Sequence, residues 1–411
     1  MKRVAYFSPL SPLRTGIASY SEALLPQLAP HVSLDLFVNG YMPSDNTLRA
    51  QFDIFDYHEF ERMRRVRGYD AIVYQMGNSP FHGYIYETLL RHPGITVLHE
   101  LVLHHFFVER TLEYGDTAGY VRELAYNAGQ AGAVVAREAM RGRQPYPHYA
   151  LPLYHRVVDA SARVIVHSSY MARHIRASRP TARVSRVPLL CDPHALRSDA
   201  ALTDALRARW QIPRGAFVVA SFGRLDAPKR LDVLLGAVER LRARVSNPVV
   251  SGTNGVCCLL VGEAVPRYDI MAIVRSLDLE ACVRLTGYVT QPEFFAAFDL
   301  ADVAVNLRHP TGGETSAAVV QLLGRGVPTI VSDLGAFAEL PDDACLKIPV
   351  GAREAEMLET TLIALASQPT MRDAMREAAR AFVAREHTVE RAAQLVAHQI
   401  EEQCVEGNRA R

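Results

Sequence analysis

At 411 residues the chain is about twice the usual domain length, so two domains of roughly 200 residues are expected. With 49% hydrophobic and 22% charged residues, the composition is that of a packed globular protein and excludes a disordered or fibrous one. A formal net charge of +1 gives no reason to expect nucleic acid as a partner, and no apolar run reaches the ~18 residues of a membrane span.

The opening stretch MKRVAYFSPLSPLRTG has too short an apolar core for a secretory signal and reads as a first strand, Arg3 to Phe7. The cysteines (Cys191, Cys257, Cys258, Cys282, Cys345, Cys404) show neither paired nor metal-type spacing, which suits reduced, mostly buried thiols in a cytoplasmic protein. Thr15-Gly16-Ile17 follows the first strand and leads into a helix, Ser19 to Leu28. A glycine there lets backbone approach a ligand closely; a plain tight turn is the alternative.

Ser33 to Val38, Ala71 to Gln75, Thr96 to His99 and Val164 to His167 read as further short buried strands. Helical stretches such as Phe81 to Leu90 and Ala118 to Met140 separate them. Apolar strands alternating with helices indicate a parallel sheet covered on both faces. The run Arg62 to Arg67 is a basic cluster, either a solvated helix face or a contact for an anionic lipid surface, which leaves peripheral membrane contact open.

Polar groups gather where these strands end. In Gly77-Asn78-Ser79-Pro80-Phe81-His82, Asn78 and His82 can both hydrogen-bond hydroxyls. The alternative there is a helix cap at Asn78 or Ser79 with His82 at the surface. Val97-Leu98-His99-Glu100 is followed by His104 and His105, but H-E-x-x-x-H-H is not the H-E-x-x-H zinc pattern, so no metal site is read. His167-Ser168-Ser169-Tyr170 closes the last strand of this half.

Two prolines in Val187-Pro188-Leu189-Leu190-Cys191-Asp192-Pro193 suit a seam between domains. Beyond it the scheme repeats, with strands at Val218 to Phe222, Cys257 to Val261, Val283 to Thr286, Val303 to Asn306 and Thr329 to Ser332. The first of these runs into Gly223-Arg224-Leu225-Asp226-Ala227-Pro228-Lys229. In open parallel sheets ligands bind beyond the carboxyl ends of the strands, where an Arg fork and a Lys can stabilise a leaving diphosphate. The fourth runs into Pro310-Thr311-Gly312-Gly313-Glu314, then a helix, then Gly326-Val327-Pro328. The helix start offers free amides at Thr315 and Ser316 to a phosphate, with the Glu314 carboxylate beside them for sugar hydroxyls. After Ile348 the chain reads as almost entirely helical, to near Gln403.

These segments, in this order, resemble the retaining glycosyltransferases of family 4. The family's G-R-x-x-x-x-K is matched at Gly223, Arg224 and Lys229. Its P-S-x-x-E is approximated at Pro310 to Glu314, and its closing G-x-P stands at Gly326 to Pro328. Counting back from Gly326, the family's second Glu falls on Gln321, so the segment is one residue short and its second carboxylate is an amide.

The resemblance implies an α/β protein of GT-B fold, two Rossmann-like parallel-sheet domains facing a central cleft. The acceptor-side domain would be residues 1–188 with a final helix, about 386–404, packing back on it; the donor domain would be 189–385. It implies transfer of a sugar from a nucleoside diphosphate sugar to a hydroxyl acceptor, in a glycan, a lipid-linked intermediate or a small molecule, with retention and with neither metal nor cofactor. His99 would touch the transferred sugar, Arg224 and Lys229 the diphosphate, and Glu314 the sugar hydroxyls. Gly16, Gly223, Thr315 and Ser316 would line the donor, Tyr288 and Val289 of Thr286-Gly287-Tyr288-Val289 its base, and Gln321 its ribose. Asn78, His82 and Glu100 fall to the acceptor side. A sugar-nucleotide epimerase, an inverting GT-B transferase and a non-catalytic sugar-nucleotide-binding subunit are the alternatives.

Overall fold

The structure, a computed structural model, describes residues 1–245 and 255–409. The chain forms two compact units. The first comprises Met1–Leu190, the short segment Gly312–Thr315 and the chain from Val389 onward; the second comprises Cys191–Thr311 and Ser316–Thr388.

The first unit is built on a seven-stranded sheet of order β3-β2-β1-β4-β5-β6-β7. Its strands are β1 (Arg3–Phe7), β2 (Ser33–Val38), β3 (Asp53–Asp56), β4 (Ala71–Met76), β5 (Ile95–Leu98), β6 (Arg163–Val166) and β7 (Val184–Arg186). The second unit has a six-stranded sheet of order β10-β9-β8-β11-β12-β13. Its strands are β8 (Phe217–Phe222), β9 (Val256–Val261), β10 (Val283–Leu285), β11 (Val303–Asn306), β12 (Thr329–Ser332) and β13 (Leu346–Ile348). Among the described residues every strand pairing is parallel. Both orders are doubly wound. The chain reverses direction across the sheet between β1 and β4 in one unit and between β8 and β11 in the other. Such a reversal opens a crevice at the carboxyl ends of those two strands.

The central strands are buried on both faces, which explains their unbroken apolar runs. Phe7 of β1 stacks on Phe37 of β2 at 4.8 Å and meets Tyr74 of β4 at 5.2 Å between ring centroids. Truncating such a ring costs about 3–5 kcal/mol. In the second unit Phe222 packs edge-on to Phe298 at 5.0 Å. All six cysteines are free and buried.

Sequence patterning passes over β3, β7 and β13. All three lie at the edge of a sheet, are at most four residues long, and carry charged residues among half-buried neighbours. Edge strands of this kind lack the double-sided apolar signature. The helix expected at Ala118 to Met140 runs Thr117–Met140 but breaks inside, where Gly129 takes φ 61° and ψ −149°, a conformation only glycine adopts readily. The final helix, Val389–Arg409, packs on the helix Gly16–Leu28 of the first unit. Buried Arg163 at the start of β6 donates to Gln399 at 3.0 Å and pairs with Glu402 at 2.8 Å on that final helix.

Candidate active site

In the first unit, β1 leads through a loop to the N-cap Thr15, whose hydroxyl accepts from the Ala18 amide at 3.0 Å. Gly16 opens the helix, and a Cβ there would meet nothing within 4 Å. The space over this turn is open, as close backbone approach by a ligand requires.

After β4, Gly77 is closely packed: a Cβ would stand 2.4 Å from Ile17 Cδ1 and 3.2 Å from His82 Cε1, so the Ile17 side chain would have to shift. Asn78 is fully engaged. Its backbone N–H donates to Glu100 Oε1 at 3.1 Å, its Nδ2 faces His105 Nδ1 at 3.1 Å, and its Oδ1 accepts from Phe106 N at 2.8 Å. Asn78 therefore caps a helix, but the distant one at His104–Thr111 rather than the one that follows it. His82 lies inside the unit at 1% exposure, its Nδ1 against Ser79, and burial pushes its imidazole down to about 4.

His99 and Glu100 are the first residues beyond β5. The His99 amide donates to Met76 O at 3.1 Å, and both of its ring nitrogens have partners, Gln75 at 2.7 Å and His167 at 3.1 Å. Burial, with His167 and His82 nearby, holds this imidazole well below the usual histidine value.

The segment Gly312–Thr315 is anchored within the same unit: Gly312 O accepts from Leu101 N at 2.8 Å and Val102 N at 3.0 Å. Gly313 sits at φ +80° with Leu101 where a Cβ would be, 2.8 Å away, so only glycine fits. A Cβ on Gly312 would stand 3.0 Å from Glu314 Oε2 and 3.8 Å from Glu100 Oε2, so two carboxylates converge on one backbone turn. Burial, then the charge of Glu314, raises the Tyr170 hydroxyl above its ordinary value. The Thr315 hydroxyl is buried without a hydrogen-bond partner.

In the second unit, Gly223 follows β8 at φ +93°, its amide donating to Val261 O at 2.9 Å. Arg224 is exposed. Lys229 is buried, at 6% exposure, with Nζ donating to the Phe222 carbonyl. A loop lysine is ordinarily a solvated surface charge; the short turn at Ala227–Lys229 folds this one back over the end of β8 instead. The loops after β8 and β11 are joined, His309 N donating to Pro228 O at 2.8 Å. Arg308, which the sequence motifs do not single out, stands there too, 3.8 Å from Asp226 and only 14% exposed at its side chain. Its position two residues beyond a buried strand is the signal that could have found it.

The helix expected to start just after Glu314, with Thr315 and Ser316 in its first turn, begins later, at Ala317. Ser316 is its N-cap, accepting from Val319 N at 3.4 Å and from Asn306 Nδ2 at 3.1 Å, so its hydroxyl is committed to the fold. Gln321 is half-buried on this helix. Beyond β10, Thr286 Oγ1 accepts from Gly262 N at 3.2 Å; Tyr288 is 54% exposed, while Val289 is packed in the core. No cluster of three or more histidine, cysteine, aspartate or glutamate side chains suited to a metal ion occurs among the described residues. Among them, too, no helix is long and apolar enough to cross a membrane.

The arrangement of strand ends and loops around β8, β9, β11 and β12 has a family counterpart. Residues 216–368 match the family of glycosyl transferases group 1. Among curated proteins no sequence matches. Among solved structures, sucrose-phosphate synthase from Thermosynechococcus elongatus aligns over 98% of this chain and 99% of its own, at 15% identity and TM-score 0.65. HepE from Anabaena, in complex with UDP and glucose, aligns over 98% and 100% at 16% identity and TM-score 0.63. WaaG, a glycosyltransferase involved in lipopolysaccharide biosynthesis, aligns over 97% and 99% at 14% identity and TM-score 0.64. The match to the glycosyl transferases group 1 model thus falls within the second unit, and the fold is GT-B.

Proposed function

We propose that this protein transfers a sugar from a nucleoside diphosphate sugar to a hydroxyl acceptor, with retention of anomeric configuration. The observation that carries this reading is the second unit's crevice. Gly223, Arg224 and Lys229 line the end of β8 at the point where the strand order reverses, inside the segment that matches the glycosyltransferase family.

Arg224 and Lys229 take the diphosphate. The bond between the sugar's anomeric carbon and the diphosphate oxygen breaks, the acceptor oxygen bonds to that carbon on the same face, and the acceptor proton passes to the leaving phosphate. The protein need supply no nucleophile; it supplies position and charge. Lys229, tethered to the Phe222 carbonyl, is pre-placed and so needs little ordering when the donor arrives. Glu314 accepts hydrogen bonds from the transferred sugar, Gln321 from the ribose, and the Tyr288–Val289 backbone meets the base. Glu100, beside Glu314, belongs to the acceptor side. These cations do the work a metal would otherwise do, and no cofactor enters the scheme.

A thermal-stabilisation screen of UDP, GDP and ADP sugars tests the reading, with UDP-glucose first because HepE is solved with UDP and glucose. The anomeric configuration of the product, read by NMR, tests retention. Inverted product would assign an inverting transferase. Tight nucleotide-sugar binding with neither transfer nor hydrolysis would assign a non-catalytic binding protein.

A further inference from the structure

Arg224, Lys229 and Arg230 follow β8 and Arg308 follows β11, the two strands between which the second unit's order reverses. They are not equally committed to the fold. Arg230 donates to the buried carboxylate of Glu354 at 2.6 Å and is held as a structural ion pair. Arg224 is exposed, and Lys229 is tethered to the Phe222 carbonyl.

Arg308 is placed differently. Its amide donates to Ser332 Oγ of β12 at 2.8 Å, which fixes where its side chain leaves the loop. From there the side chain reaches the other loop, with Nη1 3.8 Å from Asp226 Oδ1. The guanidinium therefore lies across the reversal point, from the end of β11 to the loop after β8. It is also largely withdrawn from water, where its attraction for an anion is strengthened.

A brace between the two loops is the structural alternative, and the geometry argues against it. Asp226 holds the N-cap position of the turn Ala227–Lys229, where an aspartate ordinarily accepts from the turn's amides, yet its side chain makes no such bond. Its Oδ1 is buried without a hydrogen bond, and 3.8 Å from Arg308 is a charge contact too long to supply one. Arg325 shows what a structural fork looks like in this unit, gripping Asp299 through two bonds of 2.7 Å. The loops are in any case joined by the bond from His309 N to Pro228 O at 2.8 Å. A buried carboxylate oxygen left without a hydrogen bond adds little stability.

We propose that Arg308 joins Arg224 and Lys229 as a ligand of the donor's diphosphate, and that Asp226 is the counter-charge it leaves when the diphosphate arrives. The proposal rests on the donor-crevice reading above. Its chemical sense is that phosphate oxygens can take two parallel N–H bonds from a guanidinium fork, which Asp226 at its present distance does not.

Calorimetric titration with UDP, GDP and ADP, with each parent nucleoside followed by ligand-observed NMR, tests the assignment. Arg308→Gln is expected to weaken whichever nucleoside diphosphate the native protein binds by about ten- to a hundredfold, the worth of a charge-assisted hydrogen bond. Binding of the nucleoside should not change. Arg308→Lys keeps the charge without the fork and should fall between. Asp226→Asn breaks the same ion pair but keeps the guanidinium, so it should bind the nucleoside diphosphate at least as tightly as the native protein. A brace would make the two substitutions behave alike. Native affinity in Arg308→Gln, or a loss in Asp226→Asn that matches it, overturns the proposal. If Arg308→Gln fails to fold, Arg308→Gln/Asp226→Asn set against Asp226→Asn alone reads the same loss. A native protein that binds none of the three nucleotides would sink the donor-crevice reading and this assignment with it. Binding that Arg224→Ala weakens and Arg308→Gln does not would sink this assignment alone.

Discussion

In the first unit the ends of β1, β4 and β5 carry uncharged polar side chains already bonded within the fold, Thr15, Asn78 and His99, with the carboxylates Glu100 and Glu314 drawn together at Gly312. In the second unit the ends of β8 and β11 present cations, Arg224, Lys229 and Arg308. The strand order around the two reversal points is the same, so the scaffold does not set this difference. The side chains set on it do. Sugar hydroxyls are read by directional acceptors and donors, whereas a diphosphate of two or more charges needs fixed positive charge. One fold, used twice, supplies both kinds of surface.

Arg224→Ala should break the cationic side most severely, lowering kcat/KM for transfer by about a hundredfold or more, the scale for losing a transition-state charge donor. Its thermal midpoint should hold, because the side chain is exposed. Lys229→Ala should lose comparable activity and also about 1–3 kcal/mol of stability, since it strips a buried carbonyl of its donor. Near-normal turnover in both variants would remove the diphosphate assignment.

Acid should separate the two units. Burial holds His82 down to about 4, and His104 likewise, so both are neutral in the fold and take a proton on unfolding below about 6.5. Between those values the unfolded state binds more protons, and stability falls as pH falls, by at most about 1.4 kcal/mol per pH unit for each group. Both lie in the first unit. Hydrogen-exchange protection of first-unit peptides, taken relative to the intrinsic amide rate at each pH, should therefore fall below about pH 6.5. Fluorescence of the single tryptophan, Trp210 in the second unit, should hold to lower pH. Equal acid sensitivity in both units would erase this part of the contrast.

Glu314 and Gln321 sharpen the comparison, because one lies in each unit. Glu314→Gln should weaken transfer and leave binding of the free nucleoside diphosphate nearly intact. Gln321→Ala should weaken that binding by about 0.5–1.5 kcal/mol, the value of one neutral hydrogen bond. Calorimetric titration distinguishes them, since the nucleotide has the ribose and lacks the transferred sugar. The smallest expected effect is none: exhaustive EDTA treatment should leave transfer unchanged, and a loss restored by Mg²⁺ would show that the cations are insufficient.

The sequence alone determined the doubly wound sheets and the loops that carry the cations. Strands buried on both faces leave uninterrupted apolar runs, and a Gly-Arg-x-x-x-x-Lys stretch after such a run is visible without coordinates. Three things were decided only by tertiary structure. Edge strands β3, β7 and β13 are held by a neighbour's backbone and carry no pattern of their own. Lys229 is buried because a turn folds it onto the β8 terminus, which residue spacing does not encode. The third is the partnership of residues far apart in the chain: Gln75 with His99 and His167, and Glu100 with Glu314. Parallel pairing brings one set to a common edge, and the anchoring of Gly312 to Leu101 and Val102 brings the other. A one-dimensional pattern records which side a residue faces along its own element, but not which distant element will stand beside it.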